Sequence, residues 1–135
     1  MWLWISFVYL IGGFFLLILF LGIFIIIKFS KKKRISDEKI SFFKVKINQI
    51  KAFNSWKEQI IDYDKLYHKI LQELGYSGDF GSILKQNPSV ISDINKVWEL
   101  HKLRNKLVHD FDLVTENVLR KKALQYEELI KQLLK

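Results

Sequence analysis

The residues with the richest chemistry in this 135-residue chain crowd into one stretch, Trp98 to Asp110, where His101, Arg104, Asn105 and His109 stand among apolar side chains at helical spacing. With Ile94 at 0° and about 100° per residue, Leu103, Val114, Leu107, Leu100, Phe111, Val97 and Val108 fill an arc from about 180° to 320°. Arg104 falls at about 280°, inside that arc. A guanidinium keeps its proton and is costly to bury alone, so its position predicts a partner carboxylate, a subunit interface or an anionic ligand. Beside the arc His101, Asn105, Trp98 and His109 form a semi-polar shoulder, while Lys102, Lys106, Glu99 and Asp110 take the solvated side. The plainer account of Arg104 is a side chain that snorkels from a crowded bundle face or pairs with a structural acid. His101 and His109 are too far apart, about 12 Å along a helix, to share one metal ion, and His68 has no evident partner. No metal or cofactor is expected. With no cysteine, disulfides, thiolate-bound metals and cysteine catalysis are excluded.

Four helices must position these residues. Ser36, followed by Asp37 and Glu38, starts the first, with Ile40, Phe43, Ile47 and Ile50 as its apolar stripe. Asn54-Ser55 interrupts, and Ser55 with Glu58 has the form of a capping box. The second helix carries Trp56, Ile60, Tyr63, Tyr67, Ile70, Leu71 and Leu74 and ends at Gly75. Tyr76 to Pro88 reads as a loop with a short helical turn at Ser82 to Lys85. Ser89 or Ser92 caps the third helix, which runs to His109 or Phe111. Thr115 caps the fourth, Glu116 to Leu134, with Val118, Leu119, Ala123, Tyr126, Ile130 and Leu133 inward. The reading is all-α: an N-terminal transmembrane helix at residues 1–27, a basic juxtamembrane linker at 28–35 and a four-helix bundle at 36–135. A hundred residues give a barely sufficient core, which a second copy would help.

The net charge of +8 is unevenly placed. Met1 to Ile27 has no charged residue. Lys28, Lys31, Lys32, Lys33 and Arg34 follow at once, leaving a balance of +3 over Ser36 to Lys135. The basicity is therefore mainly a membrane-surface feature, suited to anionic lipid headgroups, and poor evidence by itself for nucleic acid. Twenty-seven helical residues reach roughly 40 Å, enough for a hydrocarbon core of about 30 Å. The segment lacks the positive start and small-residue cleavage site of a signal peptide. Trp2, Trp4 and Tyr9 suit one interface and the basic cluster the other, so the N-terminus is expected outside the cell membrane and the bundle in the cytoplasm.

The string Arg104-Asn105-Lys106-Leu107-Val108-His109 resembles the R-N-x-x-x-H motif of the HEPN superfamily (higher eukaryotes and prokaryotes nucleotide-binding), small four- or five-helix bundles with the motif on a late helix. The wider stretch Trp98 to Asp110 looks like a variety seen in uncharacterised bacterial proteins. The resemblance covers about residues 55–134. It implies a metal-independent endoribonuclease with motifs from two protomers facing across a dimer interface, the ribose 2′-OH attacking the adjacent phosphate. On that reading His109 is the general acid/base, Arg104 the phosphate clamp, Asn105 the group that orients either, and Lys102 and Lys106 the RNA contacts. One branch, toxins paired with nucleotidyltransferases, has a tyrosine two residues after the histidine. Phe111 stands there here, so this position has no hydroxyl to modify. Many members of the superfamily bind RNA, nucleotides or protein without cutting.

Two functions follow. One is a membrane-anchored HEPN-like ribonuclease or RNA-binding module that dimerises through the motif helix. The other is a non-catalytic membrane adaptor whose bundle binds another protein or itself. Motif residues gathered in a cleft at a two-fold interface favour the first. Arg104 held by an internal carboxylate, with His109 in solvent, favours the second.

Overall fold

An uncharged run and a patterned run produce two compact units, residues 1–32 and 33–135. The computed structural model describes residues 1–30, 34–109 and 114–135, apart from the side chains of 26–30. The expectations placed on Lys28, Lys31, Lys32, Lys33, Asp110 and Phe111 thus lie outside the described residues. Among those described, all regular structure is helical and no strand occurs.

The first unit is one helix, α1 (Trp2–Ser30). Over Trp2–Ile25 its mean hydropathy is 2.8 and none of it is buried by the rest of the chain. This helix is long and apolar enough to cross a membrane.

The second unit contains α2 (Asp37–Lys51), α3 (Trp56–Glu73), α4 (Phe80–Lys85), α5 (Ile94–His109) and α6 (Glu116–Leu133). Short polar side chains set the starts. Ser36 accepts the amide of Lys39 at 3.4 Å, and Ser55 that of Glu58 at 3.3 Å, each satisfying an amide that has no partner inside its own helix. Between α2 and α3 the buried amide of Gln59 donates to the carbonyls of Phe53 at 2.8 Å and Lys51 at 3.4 Å, closing the end of α2. The end of α3 is a Schellman turn: Gly75 takes φ 99°, its amide donates to Gln72 at 3.0 Å, and the amide of Tyr76 reaches back to Leu71 at 3.1 Å.

Helix α3 is the hub, packing most extensively on α6 and then on α5 and α2. Ile60, Tyr63, Tyr67, Ile70 and Leu71 are buried there against Phe43 and Ile47 of α2, Val97 and Leu100 of α5 and Ala123, Tyr126 and Ile130 of α6.

Several expectations need correction. Among the described residues the bundle has five helices: Asp79 caps α4 through the amide of Ser82 at 2.9 Å, and Phe80, Ile83 and Leu84 are buried, so the stretch read as a loop supplies core. Helix α5 is capped by Asp93, whose carboxylate accepts the amide of Lys96 at 3.1 Å; Ser92 instead donates its hydroxyl to Gln132, and Ser89 is not the cap. Thr115 is the N-cap residue of α6 but makes no side-chain capping bond. On α6 Val118 is exposed, and Leu129 is buried in the core. On α5 Val97, Leu100 and Leu107 are buried whereas Val108 is 47% exposed, so the covered arc is narrower than the periodicity implies.

Candidate functional site

A carboxylate inside the bundle organises the polar residues of α5. Asp64, on α3, is 4% exposed. Its Oδ1 accepts the hydroxyl of Tyr126 from α6 at 2.6 Å and lies 2.9 Å from Nδ1 of His101. Its Oδ2 lies 3.6 Å from Nε of Arg104, an ion pair without a hydrogen bond. Three helices therefore meet on one acid, because α3 presents Asp64 two turns before Leu71 on its buried side while α5 and α6 also pack on α3.

The remaining bonds close a ring. Arg104 donates from an NH group to Oδ1 of Asn105 at 2.9 Å, and Nδ2 of Asn105 lies 3.4 Å from Nε2 of His101. An Asn amide donates only from nitrogen, so His101 Nε2 is the acceptor and its Nδ1 carries the proton toward Asp64. The order Arg104 to Asn105 to His101 to Asp64, with Tyr126 joining at the acid, satisfies every member except Nε of Arg104. That atom is buried without a hydrogen-bond partner among the described residues.

Aromatic rings wall the cluster. Phe80 of α4 meets the edge of His101 at 4.7 Å, and Trp98 lies 6.1 Å from the same imidazole. His68, for which the sequence offered no partner, stacks on Phe80 at 5.5 Å and bonds the carbonyl of Gly78 at 2.9 Å. Burial pushes the phenol of Tyr126 well above its ordinary range, and the charge of Asp64 pushes it the same way, so Tyr126 stays a donor.

The residues singled out by sequence divide accordingly. Arg104 and Asn105 are joined to each other and, through His101, to Asp64. His109 is exposed at the last turn of α5 and has no hydrogen-bond partner among the described residues. It follows Arg104 by five residues, about 140° around the helix, so the two sit on different faces of α5. Lys102 reaches over Trp98, 5.8 Å from the ring centre, and Lys106 is exposed. No group of three or more metal-ligating side chains occurs among the described residues. Arg34 is the described part of the basic run and is exposed.

Sequence reasoning missed Asp64. The signal was present, since an aspartate one helical turn after Ile60 and three residues before Tyr67 stands at the edge of the α3 stripe, as Arg104 stands in that of α5. Comparison of the chain with protein-family models, with curated proteins and with solved structures returns no match.

Proposed function

We propose that the chain is a membrane-anchored, HEPN-like helical module that acts by association, pairing with a second copy or another protein through α5, with α1 spanning the cell membrane and the bundle on its cytoplasmic side. The observation that supports this reading is the ion pair of Arg104 with Asp64. The acid neutralises the one cation on the α5 core face, so a phosphate would have to displace a carboxylate already in place, while His109 stands apart from it. Beside the ring, α5 leaves Val108 exposed and Leu103 and Arg104 half covered, an apolar strip with one charge suited to self-association. The full chain in nanodiscs or mild detergent is expected to sediment as a dimer and Val108→Asp as a monomer. A wild-type monomer at the highest workable concentration would overturn the pairing.

A second reading has its own support. Nε of Arg104 is left without a hydrogen-bond partner among the described residues, and Lys102, Asn105, Lys106 and His109 run along the open side of the same helix, where a second copy or an RNA strand could complete the site. Cleavage of mixed RNA in the presence of chelator, abolished by Arg104→Ala, by Arg104→Lys and by His109→Ala in folded protein, would make the chain a ribonuclease. Inert wild type leaves association as the function.

A further inference from the structure

Helix α2 has an apolar side that the bundle does not use. Phe43, Ile47 and Ile50 point into the core, but Phe42 is 47% exposed, Val45 54% and Phe53, in the turn that follows, 37%. Phe42 and Phe53 flank a groove of about 340 Å³ between α2 and α3, whose rim carries Lys46, Lys65 and Lys69 against the single acid Asp62. Lys46 lies 5.6 Å from the centre of the Phe42 ring, and Asp62 is occupied by Lys65 at 2.8 Å. Lys69 has no acidic partner among the described residues. Bulky apolar side chains ringed by an excess of lysine form the surface of an interfacial helix, which sets its rings among acyl chains and its ammonium groups at the headgroups.

We infer that the Phe42, Val45 and Phe53 side of α2, with Lys46, Lys65 and Lys69, docks on an anionic lipid bilayer. The inference rests on the reading of α1 as a membrane span. The covalent connection names the occupant: only the six residues 31–36 separate Ser30 from Asp37, so the start of α2 stays within about 25 Å of the end of α1 in any conformation. Charge complementarity selects the lipid, because a lysine near an anionic surface strengthens binding about fivefold, and the net excess of two positive charges on this rim does so about thirtyfold. The basic residues 28–34 extend the same preference along the chain.

The absence of cysteine makes single labelling sites simple to introduce. The full chain carrying a spin label at Val45→Cys, at Phe15→Cys in α1 or at Lys121→Cys on the exposed side of α6 is placed in phosphatidylcholine vesicles with or without phosphatidylglycerol. Collision with oxygen and with a water-soluble nickel complex is then compared. With phosphatidylglycerol present, the label at 45 is expected to gain oxygen access and lose nickel access, and the label at 121 to remain aqueous. Lys46→Gln, Lys65→Gln and Lys69→Gln together, all at exposed positions, are expected to return the label at 45 to water, and high salt to weaken the contact. A label at 45 that stays aqueous while the label at 15 reports hydrocarbon overturns the docking alone. Aqueous behaviour at both 15 and 45 overturns the span and the docking together. Equal burial at 45 in both lipid mixtures overturns the role of the lysines.

Discussion

Nε of Arg104 faces Oδ2 of Asp64 at 3.6 Å, while the other oxygen of that carboxylate is taken by Tyr126 and His101. The arginine thus contributes charge without completing the acid's hydrogen bonding. This decides how the cluster responds to each substitution.

Asp64→Ala strands a hydroxyl, an imidazole N–H and a guanidinium at once, and is expected to cost about 2 to 4 kcal/mol. Arg104→Met leaves the acid its two hydrogen bonds but removes its countercharge from a buried carboxylate, so it is expected to destabilise by about 1 to 2 kcal/mol, less than Asp64→Ala. Urea unfolding of the full chain in detergent, followed by near-ultraviolet circular dichroism, measures both. Equal losses would mean that the charge pair, and not the hydrogen bonds, holds the cluster.

Along α5 the face assignment predicts a steep contrast. Leu100 is fully buried, and Leu100→Ala is expected to cost about 2 to 5 kcal/mol. Val108→Ala, at an exposed position, is expected to cost under about 0.5 kcal/mol while weakening the proposed self-association. Denaturation at two protein concentrations separates the effects, since only association depends on concentration.

Alkaline pH should unfold the bundle in a specific way. Burial raises the phenols of Tyr63, Tyr67 and Tyr126 above their ordinary value of 10.0, and the charges of Glu127 and Asp64 add to this at Tyr63 and Tyr126. The folded state keeps these protons at pH values where the unfolded state has released them. Their contribution to stability is therefore whole below pH 10 and is lost as pH rises toward the folded values. Tyrosinate absorbance from these three residues is expected to appear together with the loss of helical circular dichroism. Tyrosinate from all of them in a fully helical protein would contradict their burial.

Gly75→Ala tests the end of α3. At φ 99° a side chain is strained, and the substitution is expected to cost about 1 kcal/mol, read as a lower urea midpoint with unchanged slope. An unshifted midpoint would mean that the turn relaxes without its glycine.

Much of this was legible in the residues. The caps at Ser36 and Ser55, the stop at Gly75 and the stripes of α2 and α3 follow from local chemistry that neighbouring helices do not override. Helix α4 was underestimated because six residues hold too few turns for a periodicity to emerge, and Gly78 before it, Gly81 within it and Pro88 after it read as breakers. The cap of α5 was misplaced because Ser89, Ser92 and Asp93 all qualify on type, and tertiary contacts choose among them: Gln132 draws Ser92 away. The position of Arg104 did forecast a partner, as one of three alternatives. Which acid it would meet depended on how α3 is rotated against α5, a property of the packed bundle that a single helix does not carry.

The central position of α3 has a consequence for the order of events in synthesis. Its most extensive partner is α6, whose first residue follows the end of α1 by more than eighty positions. Until α6 has left the ribosome, Tyr63, Tyr67 and Asp64 have no cover on that side and the core cannot close. The apolar first helix is therefore complete, and available to the membrane-insertion machinery, long before the rest of the chain can reach its native state. On the proposed reading of α1 as a membrane span, translation itself enforces anchoring first and folding second.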